Sequence, residues 1–324
     1  MEKPLLLKSP LRFSTGSIVF TAGERWIIAL PDERILSVQP DAASVEIVAD
    51  VLQSRISPAE AHARFPESGV DGLVDALVEK GALSNVITSP ATQTDPVTET
   101  ARPQRVSLGE GGMGELEPTS EDDRGKGAGG RMVVVVGDRH ESGSFVRAAA
   151  HAGLHAIFVD EYCDTDPATI FALVGVARWL PDRRWQEIDD WCQRHGVPWH
   201  RMHGEGRRWY VGPFSVPGRS ASYGDLRLRR LAASPCPEDL LLIWRWLDGG
   251  GVPADEPTEL TQWAQNQALA LVVHDLLAHR QALASGAAED VAGGLAQVGI
   301  DYVTQTHRAH RVFAVPRNML QATP

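Results

Sequence analysis

VVVVGDRHESGS, residues 133–144, is the stretch on which the fold turns. Four consecutive valines run into Gly137; a short polar loop follows, then small and apolar residues at helical spacing. An unbroken β-branched run makes a strand buried on both faces, as in the interior of a parallel sheet. A glycine at its end, opening a helix, is how a phosphate-binding βα turn begins. The dinucleotide form needs G-x-G-x-x-G. Here Arg139 and Ser142 hold the second and third glycine positions, and Asp138 and Glu141 place negative charge where phosphates would lie. Acids at a helix N-terminus oppose an anionic ligand. The geometry of a nucleotide fold is expected without its chemistry. Asp160 closes the next strand where a ribose ligand could stand, but it is a lone acid.

Outward from this turn, strands and helices alternate. Residues 142–152 read as a helix closed by Gly153, and LHAIFVDE (154–161) and FALVGVA (171–177) as strands. PDRRWQEIDDWCQRHG (181–196) reads as an amphipathic helix with Trp185, Ile188 and Cys192 on one face. VPWHRMHG (197–204) and RRWYVGPF (207–214) read as two strands joined at Gly204-Glu205-Gly206. The alternation predicts an α/β layer with a parallel sheet.

Upstream, residues 88–130 contain no aromatic residue and no isoleucine, and Pro, Gly, Thr, Glu and Asp dominate. Such a segment cannot bury enough apolar area to offset its ordering entropy, and a disordered linker is expected. It separates a small module, residues 1–87, from a larger domain, residues 131–324. In the small module SIVFTAG (17–23), RWIIALP (25–31) and ERILSVQ (33–39) read as strands parted by turn residues Gly23-Glu24 and Pro31-Asp32. Three helices follow. The first comes after Pro40, with Val45, Val48, Ala49 and Leu52 at helical spacing; the second opens on the capping box Ser57-Pro58-Ala59-Glu60. The third carries Val70, Leu73, Val74, Leu77 and Val78 and ends at Gly81. The fold class expected is therefore α/β, a winged-helix-like three-strand, three-helix module plus a degenerate Rossmann-like α/β domain.

Charge excludes partners. The net charge is −11, and the third helix offers Asp71, Asp75 and Glu79 against Lys80. Phosphates would repel such a helix in a major groove, which disfavours a winged-helix transcription regulator and nucleic acid generally. No apolar run approaches the ~20 residues that span a bilayer, and no cleavable signal pattern is present, so a cytoplasmic chain without a membrane role is expected. The three cysteines, Cys163, Cys192 and Cys236, form no C-x-x-C pair and read as buried or half-buried thiols.

Other clusters carry little chemistry. His200 and His203 lie three apart on an expected strand, so they point to opposite faces, and His195 stands outside that strand. His274 and His279, five apart on the helix WAQNQALALVVHDLLAHRQALA, share no face, and Asp275 points elsewhere. No nucleophile, base and acid set is apparent. The tryptophans from Trp179 to Trp209 fit core filling better than a partner surface.

ERILSVQPDAASVEIV (33–48) resembles the PqqD-type peptide-binding domain, also called a RiPP recognition element, and the order and spacing of all six elements over residues 8–84 match it. The resemblance implies that the leader of a ribosomally made precursor peptide adds as a strand beside the third strand and packs against the third helix. Carried over, the peptide-binding residues are Arg34, Ile35, Leu36, Ser37 and Val38 on the strand, and Asp71, Val74, Asp75 and Val78 on the helix. The physics suits that use, because an edge strand offers free N–H and C=O groups to a peptide.

RHGVPWHRMHGEGRRWYVGPFSVPGRSASYGDLRLRR (194–230), after β-Gly-α-β-Asp, resembles the ThiF-like domain of thiazole/oxazole-modified peptide pathways, over residues 131–320. Relatives carry two cysteine pairs that bind zinc. Here Ser220, Ser222 and Tyr223 stand at the first, and AVPRNMLQATP (314–324) holds no thiol at the second. The expectation is a chain with no catalytic residue, no zinc and no ATP site of its own. It would bind a leader peptide and serve a separate YcaO-type cyclodehydratase that forms azolines in azole and thiopeptide antibiotic biosynthesis. Docking, activation of that partner and homodimer formation are its expected tasks, with the linker letting the bound leader swing. The rival is a divergent ThiF-like enzyme that adenylates a peptide carboxylate, with Arg139 or Arg147 as the anion-binding residue.

Overall fold

The computed structural model describes residues 11–14, 16–39, 70–85, 131–253, 259–286 and 295–315. The two helices expected between Pro40 and Gly69, the linker 88–130 and the C-terminal run from Pro316 lie outside the described residues.

The small module holds an antiparallel sheet in the order β2 (Ile18–Ala22), β3 (Arg25–Ala29), β4 (Ile35–Val38). Helix α1 (Val70–Glu79) ends on Gly81, whose φ of 76° lets Ala82 N–H return to the Leu77 carbonyl. A further pair went unforeseen: β1 (Leu11–Phe13) runs antiparallel to β5 (Leu83–Asn85).

Both faces of the three-stranded sheet are apolar and both are covered. Val19, Trp26, Ile28, Leu36 and Val38 pack with Val74, Leu77 and Val78 of α1. Ile18, Phe20, Ile27, Ala29 and Ile35 pack on the larger domain, against the cluster that includes Leu240, Ile243 and Trp244. Burying one such side chain is worth ~1.5–3 kcal/mol. The described module is thus docked on its neighbour, which corrects the expectation of a swinging leader carrier.

In the larger domain the valine run is β6 (Met132–Gly137), followed by α2 (Arg139–His151). Then come β7 (Ala156–Phe158), β8 (Ile170–Ala177), α3 (Asp182–His195), β9 (Trp199–Glu205) and β10 (Arg208–Val211). Helices α4 (Tyr223–Ala233), α5 (Pro237–Asp248) and α6 (Glu259–Ser285) precede β11 (Ala296–Asp301) and β12 (Thr306–Arg311). The sheet order is β12-β11-β10-β9-β8-β6-β7. Strands β7, β6, β8 and β9 are parallel, while β10, β11 and β12 run antiparallel. The expected parallel sheet is therefore mixed. The two-residue turn Gly206-Arg207 is too short for the crossover that a parallel partner requires.

One sheet face is filled by Phe145 and Ala149 of α2 and by Ala264, Ala268, Val272 and Leu276 of α6. The other takes Trp185, Ile188 and Cys192 of α3, then α4, α5 and the small module. Trp185, Trp191, Trp199 and Trp209 are all buried, so these indoles fill the core.

Candidate functional site

The β3–β4 hairpin sets the geometry of the candidate strand. Leu30 C=O accepts from Glu33 N–H at 2.9 Å, and Leu30 N–H donates to Arg34 C=O at 2.8 Å. Pro31-Asp32-Glu33 is thus a three-residue loop closed by a left-handed residue, Glu33 at φ 74°. Arg34 turns its carbonyl toward β3, so alternate residues Leu36 and Val38 do the same, and Ile35 and Ser37 turn their N–H and C=O groups outward. Among the described residues β4 pairs with β3 alone.

Side chains leave the strand in two directions. Half-buried Leu36 and Val38 lean on α1, and half-buried Ile35 leans on the larger domain. Exposed Ser37 accepts from Arg25 Nη1 at 3.2 Å, and that atom lies 3.3 Å from Asp239 of α5. Arg34 donates through Nε to Asp32 at 2.8 Å and through Nη2 to the Lys80 carbonyl at 2.9 Å. It therefore ties the head of β4 to the end of α1. On α1, Val78 is half-buried and Asp75 exposed, Asp71 lies in the first turn, and Val74 is 1% exposed within the module's own core.

The larger domain clamps the same hairpin. A Cβ on Gly206, at the tip of β9–β10, would lie 2.6 Å from the Pro31 carbonyl oxygen. Arg207 N–H donates to that oxygen at 3.1 Å. Glu33 accepts from the Tyr210 hydroxyl and, at 2.6 Å, from Arg208. Burial, then the Glu33 carboxylate, push the Tyr210 hydroxyl far above its ordinary pKa, so it remains a donor. Behind it Arg230 binds Glu205 bidentately at 2.7 and 2.8 Å. Burial alone would raise the Glu205 carboxyl; Arg230 outweighs it and holds the group below the usual carboxylate range. Arg201 is fully buried, its guanidinium 4.9 Å from the ring centres of Trp199 and Tyr223, and burial lowers its pKa to about 10.

The β6–α2 loop engages the protein itself. Gly137, at φ 121°, is required because a Cβ would lie 1.8 Å from the Val176 carbonyl oxygen of β8. Asp138 accepts from Arg178 N–H at 2.6 Å, Glu141 accepts from Gln265, and Arg139 pairs with Asp160 at 3.0 Å. The crevice beside the loop, about 240 Å³, is lined by Gly137, Asp138, Trp179, Arg184 and Leu247. Its position, between β6 and β8 at their C-terminal ends, is where an open α/β sheet holds a nucleotide. The glycine serves strand packing, and an acid stands at the phosphate position.

His200 and His203 do lie on opposite faces. His200 accepts at Nδ1 from Arg201 N–H, which leaves Nε2–H to donate to Asp275 at 2.9 Å. Asp275 thus faces His200, a pairing the sequence reading missed. His203 packs edge-on against Trp185, its Nε2 3.5 Å from Glu205 without a hydrogen bond. His279 is buried and His274 exposed. Among the described residues no group of three or more His, Cys, Asp or Glu is placed to hold a metal ion. Ser220 bonds Val216 N–H and the Phe214 carbonyl, and Ser222 caps α4 in a box with Asp225. Cys192 is buried and Cys236 half-buried, but Cys163 is exposed on a short 3₁₀ turn, correcting its expected burial. Among the described residues no helix is long and apolar enough to cross a membrane.

No known family's sequence pattern matches the chain, and no curated protein does either. Solved structures do resemble it. The heterocyclase TruD aligns over 95% of this chain and 42% of its own at 14% identity and TM-score 0.45. A heterocyclase in complex with substrate and cofactor aligns over 94% and 38%, at 13% and 0.45. A chain of the E. coli microcin synthetase McbBCD complex aligns over 97% and 99%, at 11% and 0.44. The chain thus spans well under half the length of both heterocyclases. Likeness at this level is remote and assigns no activity.

Proposed function

We propose that this chain is a non-catalytic partner protein that binds the leader of a ribosomally made precursor peptide as an added strand on β4. It presents that peptide to a separate YcaO-type cyclodehydratase, which uses ATP to form azolines on the way to azole and thiopeptide products. One observation carries the reading: among the described residues β4 keeps an outward edge at Ile35 and Ser37 while its hairpin is anchored from two sides. Anchoring matters because a strand that is already in place loses little entropy when a peptide pairs with it. Backbone bonds of ~1 kcal/mol each supply affinity, and the α1 side supplies contacts through Leu36, Val38 and Val78. Asp75 and Glu79 are exposed on α1 and favour a leader carrying basic residues there.

The chain itself supplies no cofactor chemistry in this reading. The loop acids Asp138 and Glu141 oppose ATP phosphates, and the serines where the family's thiols would stand bond backbone groups instead.

The test is reconstitution. A YcaO-type cyclodehydratase from the same genome is incubated with its precursor peptide and ATP, with and without this protein, and loss of water is read by mass spectrometry. Dehydration that requires this protein and the leader supports the reading. Dehydration at the same rate without it overturns the reading, and ATP–pyrophosphate exchange by this chain alone would favour the adenylating rival.

A further inference from the structure

A cavity of about 450 Å³ lies between the small module and the larger domain. Its roof is one row of the three-stranded sheet. Ile18 stands opposite Ala29 and Ala29 opposite Ile35, and all three line the cavity. Its floor is Leu226, Leu240 and Ile243 of α4 and α5, and its wall includes the Glu205–Arg230 pair. The volume is within the range of sites that enclose small ligands. One lining donor is unpaired among the described residues: Gln297 is 6% exposed, and its Nε2 makes no hydrogen bond there. A buried donor left unpaired costs ~1–3 kcal/mol, so an occupant that brings an acceptor recovers part of that cost.

Among the described residues the row ends freely at Ile35. Residues opposite one another across a sheet put their side chains on the same face. A strand added at the open edge of β4 places one residue opposite Ile35, and its side chain points to the cavity face. We propose that the cavity is a specificity pocket for that one residue of the bound peptide, and that it takes a large apolar side chain. Tyrosine meets both demands, an apolar ring for the Ile18–Ala29–Ile35 row and an oxygen for Gln297. The proposal rests on β4 as the peptide strand and adds which residue of the peptide is selected, and by what.

Ala233 tests it, because it lines the cavity and is exposed, on α4 and away from the small module's sheet. A fluorescent leader peptide, and versions with each residue in turn replaced by alanine, are titrated against wild type and Ala233→Trp by anisotropy. Ser234→Phe serves as a second plug should the first variant fail to fold. One large apolar position is expected whose alanine replacement weakens wild-type binding about tenfold or more. The plugged variant is expected to bind the intact leader weakly by a similar factor and to ignore that replacement. Equal binding of the intact leader to wild type and plugged protein overturns the pocket and leaves strand addition standing. Absence of leader binding to wild type overturns both.

Discussion

Arg34 reaches from the head of β4 to the carbonyl of Lys80, 2.9 Å away, and so joins the open strand to the end of α1. The guanidinium is half exposed, so water screens it and the bond is worth ~1 kcal/mol. Arg34→Ala is expected to lower the melting temperature by a few degrees and to weaken leader binding about fivefold. Thermal denaturation and anisotropy check this; unchanged affinity would remove Arg34 from the site.

Gly206 leaves no room for a side chain between the two hairpins. Gly206→Val adds atoms where even a Cβ lies 2.6 Å from the Pro31 oxygen, at a φ of 57° that valine disfavours. A loss of ~2–4 kcal/mol is expected, together with faster proteolysis of the small module. Chemical denaturation and timed trypsin digestion check both.

Glu205 and Arg230 form a largely buried pair, their side chains 11% and 21% exposed. Breaking it by Glu205→Gln strands a guanidinium and is expected to cost ~3–5 kcal/mol, whereas the double change Glu205→Met, Arg230→Met costs less than the two single changes combined. A double-mutant cycle by urea denaturation reads the coupling.

His203 and His279 give a pH dependence of definite sign. Burial holds both imidazoles below their ordinary pKa, so the unfolded chain binds these protons more readily. Their contribution is fully present above the unfolded value of ~6.5 and is lost as pH falls through it toward the folded values. Urea midpoints are expected to fall between pH 7 and pH 5, and His203→Phe is expected to flatten that slope.

Much of this arrangement was legible. The valines of β6 and the Gly81 helix stop are local signals and lie where spacing predicted, while the β9–β10 turn, expected at Gly204-Glu205-Gly206, lies at Gly206-Arg207 because β9 continues through Glu205. Strands β1 and β5 were not legible, since three residues each carry no periodicity. Strand β12 reads THRAHR with every residue exposed, so it lacks the alternation that marks a half-buried strand. Docking of the small module was foreshadowed by apolar residues on both faces of β2, β3 and β4, which demand two covers. The clamp on Glu33 was not, because a left-handed loop residue is usually glycine or asparagine and its ligand Tyr210 is 177 residues away. Arg227 and Arg230, three apart on α4, share a helix face and hold the largely buried carboxylates of Asp182 and Glu205, partners too distant in sequence to be read from spacing.

The most direct measurement uses Ser37, whose N–H points away from β3. Labelled leader is titrated by anisotropy against wild type, Ser37→Ala and Ser37→Pro. Proline is tolerated on an edge strand but removes the outward donor and crowds an incoming strand. Strand addition predicts that Ser37→Ala binds as wild type does and that Ser37→Pro, still folded by circular dichroism, loses at least tenfold in affinity. Equal binding by Ser37→Pro and wild type would contradict the account.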